Sequence, residues 1–322
     1  MKQVKPLNHQ MDGKHILHLT ALLLFIFFIV FLKLNGFPMR WWDESMFATN
    51  TYEMLHNGKF FSLYFDSLPD LYNTKPPLTS WIQIPFVKLI GYNELALRLP
   101  SAIAAALSIL LIFQFIAANY NLIWAWLSAL ILLTSPGFIG FHTARTADSD
   151  SLLTLFLLIA NINFIKAVLT QHKRYIFLFM LFLSIAFATK LYACFLFFPA
   201  YLIILIRQKK VSDFVWNKTF LCGLIVFLLV TTGLIFLREL DTPGYLNVIL
   251  YKDAGRLFTG IENHSEPTLF YLDNLFTTHF SVWFILLIVK SLLTILLQKK
   301  EEKKIVSFFI LLGFSFFINR VY

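Results

Sequence analysis

Charge is almost absent from long stretches of this chain. Residues 16–34, 96–117, 122–141, 152–168, 220–237 and 280–297 are apolar runs, and 305–318 is a shorter one. A helix needs about 20 apolar residues to cross roughly 30 Å of hydrocarbon, where every backbone polar group must be satisfied within the segment. A soluble domain would have to hide all of these runs from water at once. With 58% hydrophobic and only 14% charged residues, the chain lacks the polar surface to do so. The pattern predicts an all-α polytopic membrane protein.

The stretch 175–206 is ambiguous by length. As one helix it would run about 48 Å, too long for one crossing; as two it gives short crossings of about 24 Å. Charge decides between them. Lys166, His172, Lys173 and Arg174 precede the stretch, and Arg207, Lys209, Lys210 and Lys218 follow it. Basic clusters of this kind mark cytoplasmic flanks, so an even number of crossings separates them, which implies two short helices turning near Lys190 and about nine crossings in all. Lys2, Lys5 and Lys14 and the KKEEKK stretch at 299–304 then lie inside. Residues 35–95, the HTARTADSD stretch and residues 238–279 lie outside and hold most of the carboxylates. No internal repeat or low-complexity linker divides the chain, so residues 1–322 read as a single domain.

The formal charge of +9 sits in short clusters between apolar runs, which is the mark of topology and excludes a nucleic-acid surface. Cys194 and Cys222 fall inside apolar runs and imply free thiols with no disulfide framework. The first run has no small-residue cleavage site and is expected to remain as a helix.

Residues 35–95 are too many for a connector and too apolar for a solvated loop. They contain WWDESMFA at 41–48, followed by an amphipathic pattern. Phe47, Thr51 and Met54 share one side of a helix, and Asn50, Glu53 and Asn57 share another. Such a helix would lie along the membrane interface, with Trp41 and Trp42 at headgroup level. Asp43, just before it, suits a helix N-cap, a role compatible with a catalytic carboxylate. Further on, the paired prolines of NTKPPLTSW at 73–81 fix an extended entry, with Pro77 in the first turn of a second interfacial helix. Lys75 is held just before that helix. Lysines at membrane surfaces usually meet lipid headgroups, but one placed by a rigid Pro-Pro suits a particular phosphate.

WWDESMFA, NTKPPL, LRLPSAIAAAL and HTARTADSDSLLTLF, in this order and spacing, resemble the polyprenyl-phosphate-sugar-dependent glycosyltransferases of the C-type fold. The bacterial branch that includes the aminoarabinose transferase of lipid A and the protein O-mannosyltransferases is the most similar group. GRLFTGIENHSEPTLFYL resembles a later loop of that branch, so the similarity spans residues 38–275. The resemblance implies a polyprenyl-phosphate-linked sugar donor and a lipid, glycan or protein acceptor reached from the outer face of a bacterial cytoplasmic (inner) membrane. By the same resemblance the family's first-loop acid matches Asp43, with Glu44 beside it, and its motif lysine matches Lys75. The acid opening the fourth helix matches Asp150, with Asp148 a near alternative. The aminoarabinose transferase has a glutamate before its lysine, tied with a later histidine to a metal. Here that place is Thr74, so His264 is kept without its carboxylate partner, which counts against that metal and leaves a divalent ion only as an open cofactor. Full-length relatives carry further crossings and often an outer domain, so this chain is expected to lack their C-terminal part.

Moving a sugar from a phosphate leaving group to a hydroxyl needs a base for the acceptor proton and positive charge for the developing phosphate. Asp43, Glu44 and Asp150 are the catalytic candidates. Lys75, Arg145, Arg256 and Lys190 are candidates for the donor phosphate, and Asp148 and His264 for substrate binding. No separate nucleophile is evident, so inversion is expected. Structural roles compete with each assignment. Asp148 and Asp150 suit a helix N-terminus, Lys190 can snorkel, His264 can be a loop histidine, and His142, Arg98 and Glu94 can be interfacial polar residues. A transporter or flippase of lipid-linked sugars would carry ionisable or helix-breaking residues at mid-membrane, whereas polar residues here gather at one surface. An inactive truncated member is the remaining alternative.

Overall fold

The computed structural model describes residues 13–40, 42–140 and 142–254, with isolated positions between 273 and 288. It is almost entirely helical. Helix α1 (Gly13–Ile26) continues through a widened turn, Phe27–Phe31. The first long loop carries α2 (Asp43–Asn57), a two-residue hairpin of β1 (Tyr64–Phe65) and β2 (Leu68–Pro69), and α3 (Leu78–Ile90). Then come α4 (Glu94–Asn119), α5 (Leu122–Thr134), the single turn α6 (Pro136–Ile139) and α7 (Asp150–Thr170). Helix α8 (Lys173–Lys190) leads through a 3₁₀ segment, Leu191–Phe197, into α9 (Phe198–Arg207). The short α10 (Val211–Val215), α11 (Lys218–Asp241) and α12 (Tyr245–Val248) complete the described helices.

Four segments are long and apolar enough to cross a membrane: Glu94–Asn119, Asp150–Thr170, Lys173–Arg207 and Lys218–Asp241. The third is not one straight helix. Leu191 takes a φ of 41°, and the chain reverses there. The Tyr201 ring then packs edge-on against Phe179 at 5.1 Å and tilted against Phe164 at 4.5 Å between ring centres. An unbroken helix would hold Tyr201 about 33 Å from Phe179. Lys210 Nζ closes the return by donating to the carbonyl of Val168. The two basic flanks therefore share one end of the bundle, as their charge implied, and the turn falls at Lys190. The runs at 280–297 and 305–318, and hence the count of nine crossings, lie outside the described residues.

Several boundaries differ from the sequence reading for identifiable reasons. The run 122–141 stops at Thr134 because Ser135-Pro136 breaks the ladder and restarts it as one turn. Asp43 is not an N-cap. Trp42 holds the cap position at φ 80°, and Asp43 is the first helical residue. On α2, Phe47, Thr51 and Met54 are buried as the pattern required, but Asn50 is buried too. It donates to Asp70 Oδ2 at 3.0 Å and to the Tyr64 carbonyl at 2.8 Å, contacts that local periodicity cannot register.

Two apolar clusters hold the bundle. One joins α1, α4 and α5 through Leu22, Ile26, Ile109, Phe113, Ala125 and Ala129. The other joins α7, α8, α9 and α11 through Phe164, Phe179, Tyr201 and Phe227. Alanines and glycines let these helices approach closely; a Cβ on Gly223 would come within 2.7 Å of the Met180 side chain.

The first loop is locked to the bundle by a buried ion pair. Arg98, on α4, meets Glu44, on α2, through Nε–Oε1 at 2.6 Å and Nη2–Oε2 at 3.1 Å. Arg98 also donates to the carbonyls of Leu34, Phe37 and Pro38. Glu44 accepts in addition from the backbone of Arg40 and Ala147. Gln83 adds a second tie, linking Thr51 on α2 to the carbonyls of Leu97 and Ala147. Removing one partner of a buried pair strands the other's charge, at a cost of about 3–5 kcal/mol. Glu44→Ala should therefore lower the folded, detergent-soluble yield and the Tm sharply. Adding Arg98→Met should recover only part of the loss, since three carbonyls then lose their donor. An unchanged Tm in Glu44→Ala would show that the pair does not hold the loop.

Candidate active site

Asp43, Lys75, His142 and Asp148 come from three separate stretches and meet at one end of the bundle. Asp43 leads α2, and its Oδ1 lies 3.5 Å from Lys75 Nζ. Its Oδ2 lies 3.6 Å from His142 Nδ1, and the same nitrogen is 3.5 Å from Asp148 Oδ2. Asp43, Lys75 and His142 side chains are 30%, 18% and 26% exposed, whereas Asp148 is 5% exposed. The group is thus open on one side and floored by a buried carboxylate. Burial opposes the charge on Asp148, but hydrogen bonds from His142 and Thr146 and the charges of His142 and Lys75 outweigh it. Its pKa is held below the ordinary carboxylate value. Lys75 Nζ also lies 5.0 Å from the centre of the Phe47 ring.

Each member has a specific support. The loop bearing Asp148 is pinned by Ser101 Oγ, which donates to the Asp148 carbonyl at 2.7 Å, and by the Ala147 amide on Glu44. Trp42 and His142 both take positive φ, 80° and 64°, in a region that costs a residue with a Cβ. Trp42 precedes Asp43 and His142 belongs to the cluster, so two of the strained positions lie at the site.

Lys75 is held by a clamp from α11. Arg238, almost fully buried, donates to the carbonyls of Asp70, Asn73 and Lys75 at 2.8, 2.7 and 2.7 Å. Its guanidinium stacks 4.0 Å over the Tyr245 ring, and Tyr245 donates its hydroxyl proton to the Thr74 carbonyl at 2.6 Å. Asp70 Oδ1 receives the amides of Tyr72 and Asn73, and Asn73 donates to Asn50. The rigid Pro-Pro is therefore only part of what positions Lys75.

Other residues singled out in the sequence go elsewhere. Glu44 spends its acceptors on Arg98, Arg40 and Ala147. Asp150 and Lys190 pair with each other at 2.7 Å, both largely buried. Of the two neighbouring acids it is Asp148, not Asp150, that joins Asp43. Arg145 donates to the carbonyls of Ile29, Val30, Leu32 and Lys33, satisfying the orphaned end of the first helix. Burial, and then the like charge of Arg98, lower its pKa. Arg256 and His264 lie outside the described residues. His142 and Arg98 carry more of the site than the sequence reading assigned to them, and Arg238 is a residue that reading does not single out. For His142 the available signal was its place at the head of HTARTADSD.

Residues 74–236 match the family described as dolichyl-phosphate-mannose-protein mannosyltransferase, which is about half of the chain. The chain is 26% identical to YycA of Bacillus subtilis (strain 168) over 182 residues, covering 56% of this chain and 25% of YycA. It is 30% identical over 149 residues to the undecaprenyl phosphate-alpha-4-amino-4-deoxy-L-arabinose arabinosyl transferase of Pseudomonas savastanoi pv. phaseolicola, covering 46% of this chain and 27% of that enzyme. The crystal structure of ArnT from Cupriavidus metallidurans bound to undecaprenyl phosphate superposes with a TM-score of 0.67 at 17% identity, over 83% of this chain and 48% of ArnT. The fold is shared with ArnT. The chain spans about a quarter of the two relatives and about half of ArnT.

If the Arg238 clamp positions Lys75, Arg238→Ala should cost function at a distance. A displacement of about 1 Å at a charged group can lower turnover about 10²-fold. Arg238→Lys should behave similarly, because one ammonium cannot serve three carbonyls in one plane. Donor turnover by well-folded Arg238→Ala at the wild-type rate would exclude the clamp as a positioning device.

Proposed function

Because the chain belongs to the dolichyl-phosphate-mannose-protein mannosyltransferase family, whose match covers residues 74–236, we propose that it is a membrane glycosyltransferase. It moves a sugar from a polyprenyl-phosphate donor to an acceptor hydroxyl on the outer face of a bacterial inner membrane. The observation that carries this reading is the meeting of Asp43 and Lys75 at 3.5 Å, above a buried Asp148, at one end of an apolar bundle. It puts a proton acceptor and a phosphate-binding cation together beside a membrane, where a lipid-linked donor has its phosphate.

Asp43 takes the acceptor proton as the hydroxyl oxygen attacks the anomeric carbon. The bond from that carbon to the phosphate oxygen breaks, and its electron pair leaves on the polyprenyl phosphate. Lys75 meets the charge that develops there, in surroundings where a lysine counts for more than in water. Inversion places base and leaving group on opposite faces of the sugar. Lys75 cannot then stay on Asp43 throughout. Its flexible stem lets the ammonium pass from Asp43 to the donor phosphate, which frees Asp43 for the acceptor.

The decisive assay uses purified protein, radiolabelled polyprenyl-phosphate sugars and detection of released polyprenyl phosphate. Asp43→Asn should fold and bind donor at least as tightly as wild type, because Lys75 loses its internal rival. Its transfer rate should fall about 10²-fold or more. Lys75→Ala should lose donor binding, and Lys75→Arg should restore part of it. Asp43→Asn turning over at more than about a third of the wild-type rate would remove the base assignment, against a loss of that size for a general base.

A further inference from the structure

We propose that the inner end of the bundle holds the phosphate of one anionic phospholipid, in a basic pocket where α7, α8 and the turn between α9 and α10 meet. The pocket centres on Lys166, near the end of α7. Lys166 is only 8% exposed. Among the described residues its ammonium has no carboxylate within 4.0 Å and donates no hydrogen bond. Its Nζ lies 5.5 Å from the centre of the Tyr175 ring, and an aromatic face answers an enclosed ammonium only in part. Burying a cation without an anion is costly, so a partner from outside the chain is called for.

The charges around Lys166 share its sign. Arg174, in the first turn of α8, acts on Lys166 as a like charge. Lys210 reaches the last turn of α7, where it donates to the Val168 carbonyl, which uses one of its three N–H groups. The flanks 166–174 and 207–218 hold seven Lys and Arg residues against one acid, Asp213. Asp213 makes no ion pair among the described residues. Topology alone accounts for the exposed members of this set, which need only meet water and headgroups. It does not account for enclosing one between two helices, since a lysine near a helix end normally extends its ammonium into water.

The level of the pocket suits a lipid headgroup. Trp216, 74% exposed just after α10, and the exposed Val211 and Val215 on α10 mark an apolar edge at the membrane surface. Lys166 stands four residues, about 6 Å, before the end of α7. A phosphodiester drawn in at this level reaches Lys166 while its acyl chains stay in hydrocarbon. A soluble phosphate shares the charge but lacks that anchoring, so the lipid is the occupant. The pocket lies at the opposite end of α7 from Asp148 and takes no part in the transfer reaction.

The test places the full chain in phosphatidylcholine nanodiscs with and without phosphatidylglycerol, and counts retained lipids by native mass spectrometry. Wild type should retain one phosphatidylglycerol and gain Tm when that lipid is present; inorganic phosphate alone should give no gain. Lys166→Met keeps the length of the stem and removes the charge. In phosphatidylcholine it should be at least as stable as wild type, because no enclosed charge remains. It should bind phosphatidylglycerol at least about 5-fold more weakly and lose most of the gain in Tm. Arg174→Gln, at an exposed position, should weaken binding comparably, whereas Lys218→Gln, on α11, should change neither readout. No retained phosphatidylglycerol, or equal effects of Lys166→Met, Arg174→Gln and Lys218→Gln, would leave only the general attraction of a basic surface and overturn the proposal. A gain from inorganic phosphate as large as that from the lipid would overturn it too.

Discussion

The Glu44–Arg98 pair is the contact on which the outer end of this molecule depends. Its two charges are desolvated, and such a pair holds only when every remaining donor and acceptor is served. Here they are: the guanidinium takes three carbonyls from the segment after the first helix, and the carboxylate takes two backbone amides. One ion pair thereby fixes the exit of α1, the start of α2, the upper turn of α4 and the loop before α7. Asp43 stands next to Glu44 itself, and Asp148 stands next to Ala147, whose amide donates to Glu44. Their convergence is a consequence of this pair.

The Lys75 side is built by a different device with the same logic. Arg238 collects carbonyls from one irregular loop, as Arg98 does from another, because a planar guanidinium serves several acceptors in fixed directions. Irregular backbone near a bilayer cannot count on water for its polar groups, and two buried arginines supply the donors instead. The consequence for chemistry is rigidity. Asp43 and Lys75 sit on segments tied separately to α4 and α11, so the separation of their backbones is set by helix packing while the Lys75 ammonium keeps its freedom.

The apolar runs made the helical bundle legible, and the matched basic flanks at 172–174 and 207–210 made the reversal at Lys190 legible. Asp43 and Lys75 could also be read, because Pro-Pro and the adjacent tryptophans are local signals. The rest was not local. Arg98 finds Glu44 across 54 positions, and Arg238 finds Lys75 across 163. Nothing near either arginine marks it as other than an interfacial charge. Asp148 and Asp150 pose the sharper case, since both suit a helix start and differ by two positions. Which of them joins Asp43 is decided by Lys190, which lies next to the reversal and claims Asp150.

Charge balance at the cluster carries the last step. Asp43 and Asp148 bring two negative charges to one place, and Asp148 is too buried for water to shield it. Lys75 supplies one positive charge and reaches Asp43, not Asp148. In the proposed reaction Lys75 moves to the donor phosphate, and both carboxylates then face His142 alone. Two like charges this close in a weakly screening site repel strongly unless a cation intervenes. In the proposed reaction the proton that the acceptor hydroxyl gives to Asp43 relieves that repulsion once Lys75 has left. On that reading the departure of Lys75 to the phosphate and the arrival of the proton at Asp43 are two halves of one exchange of charge.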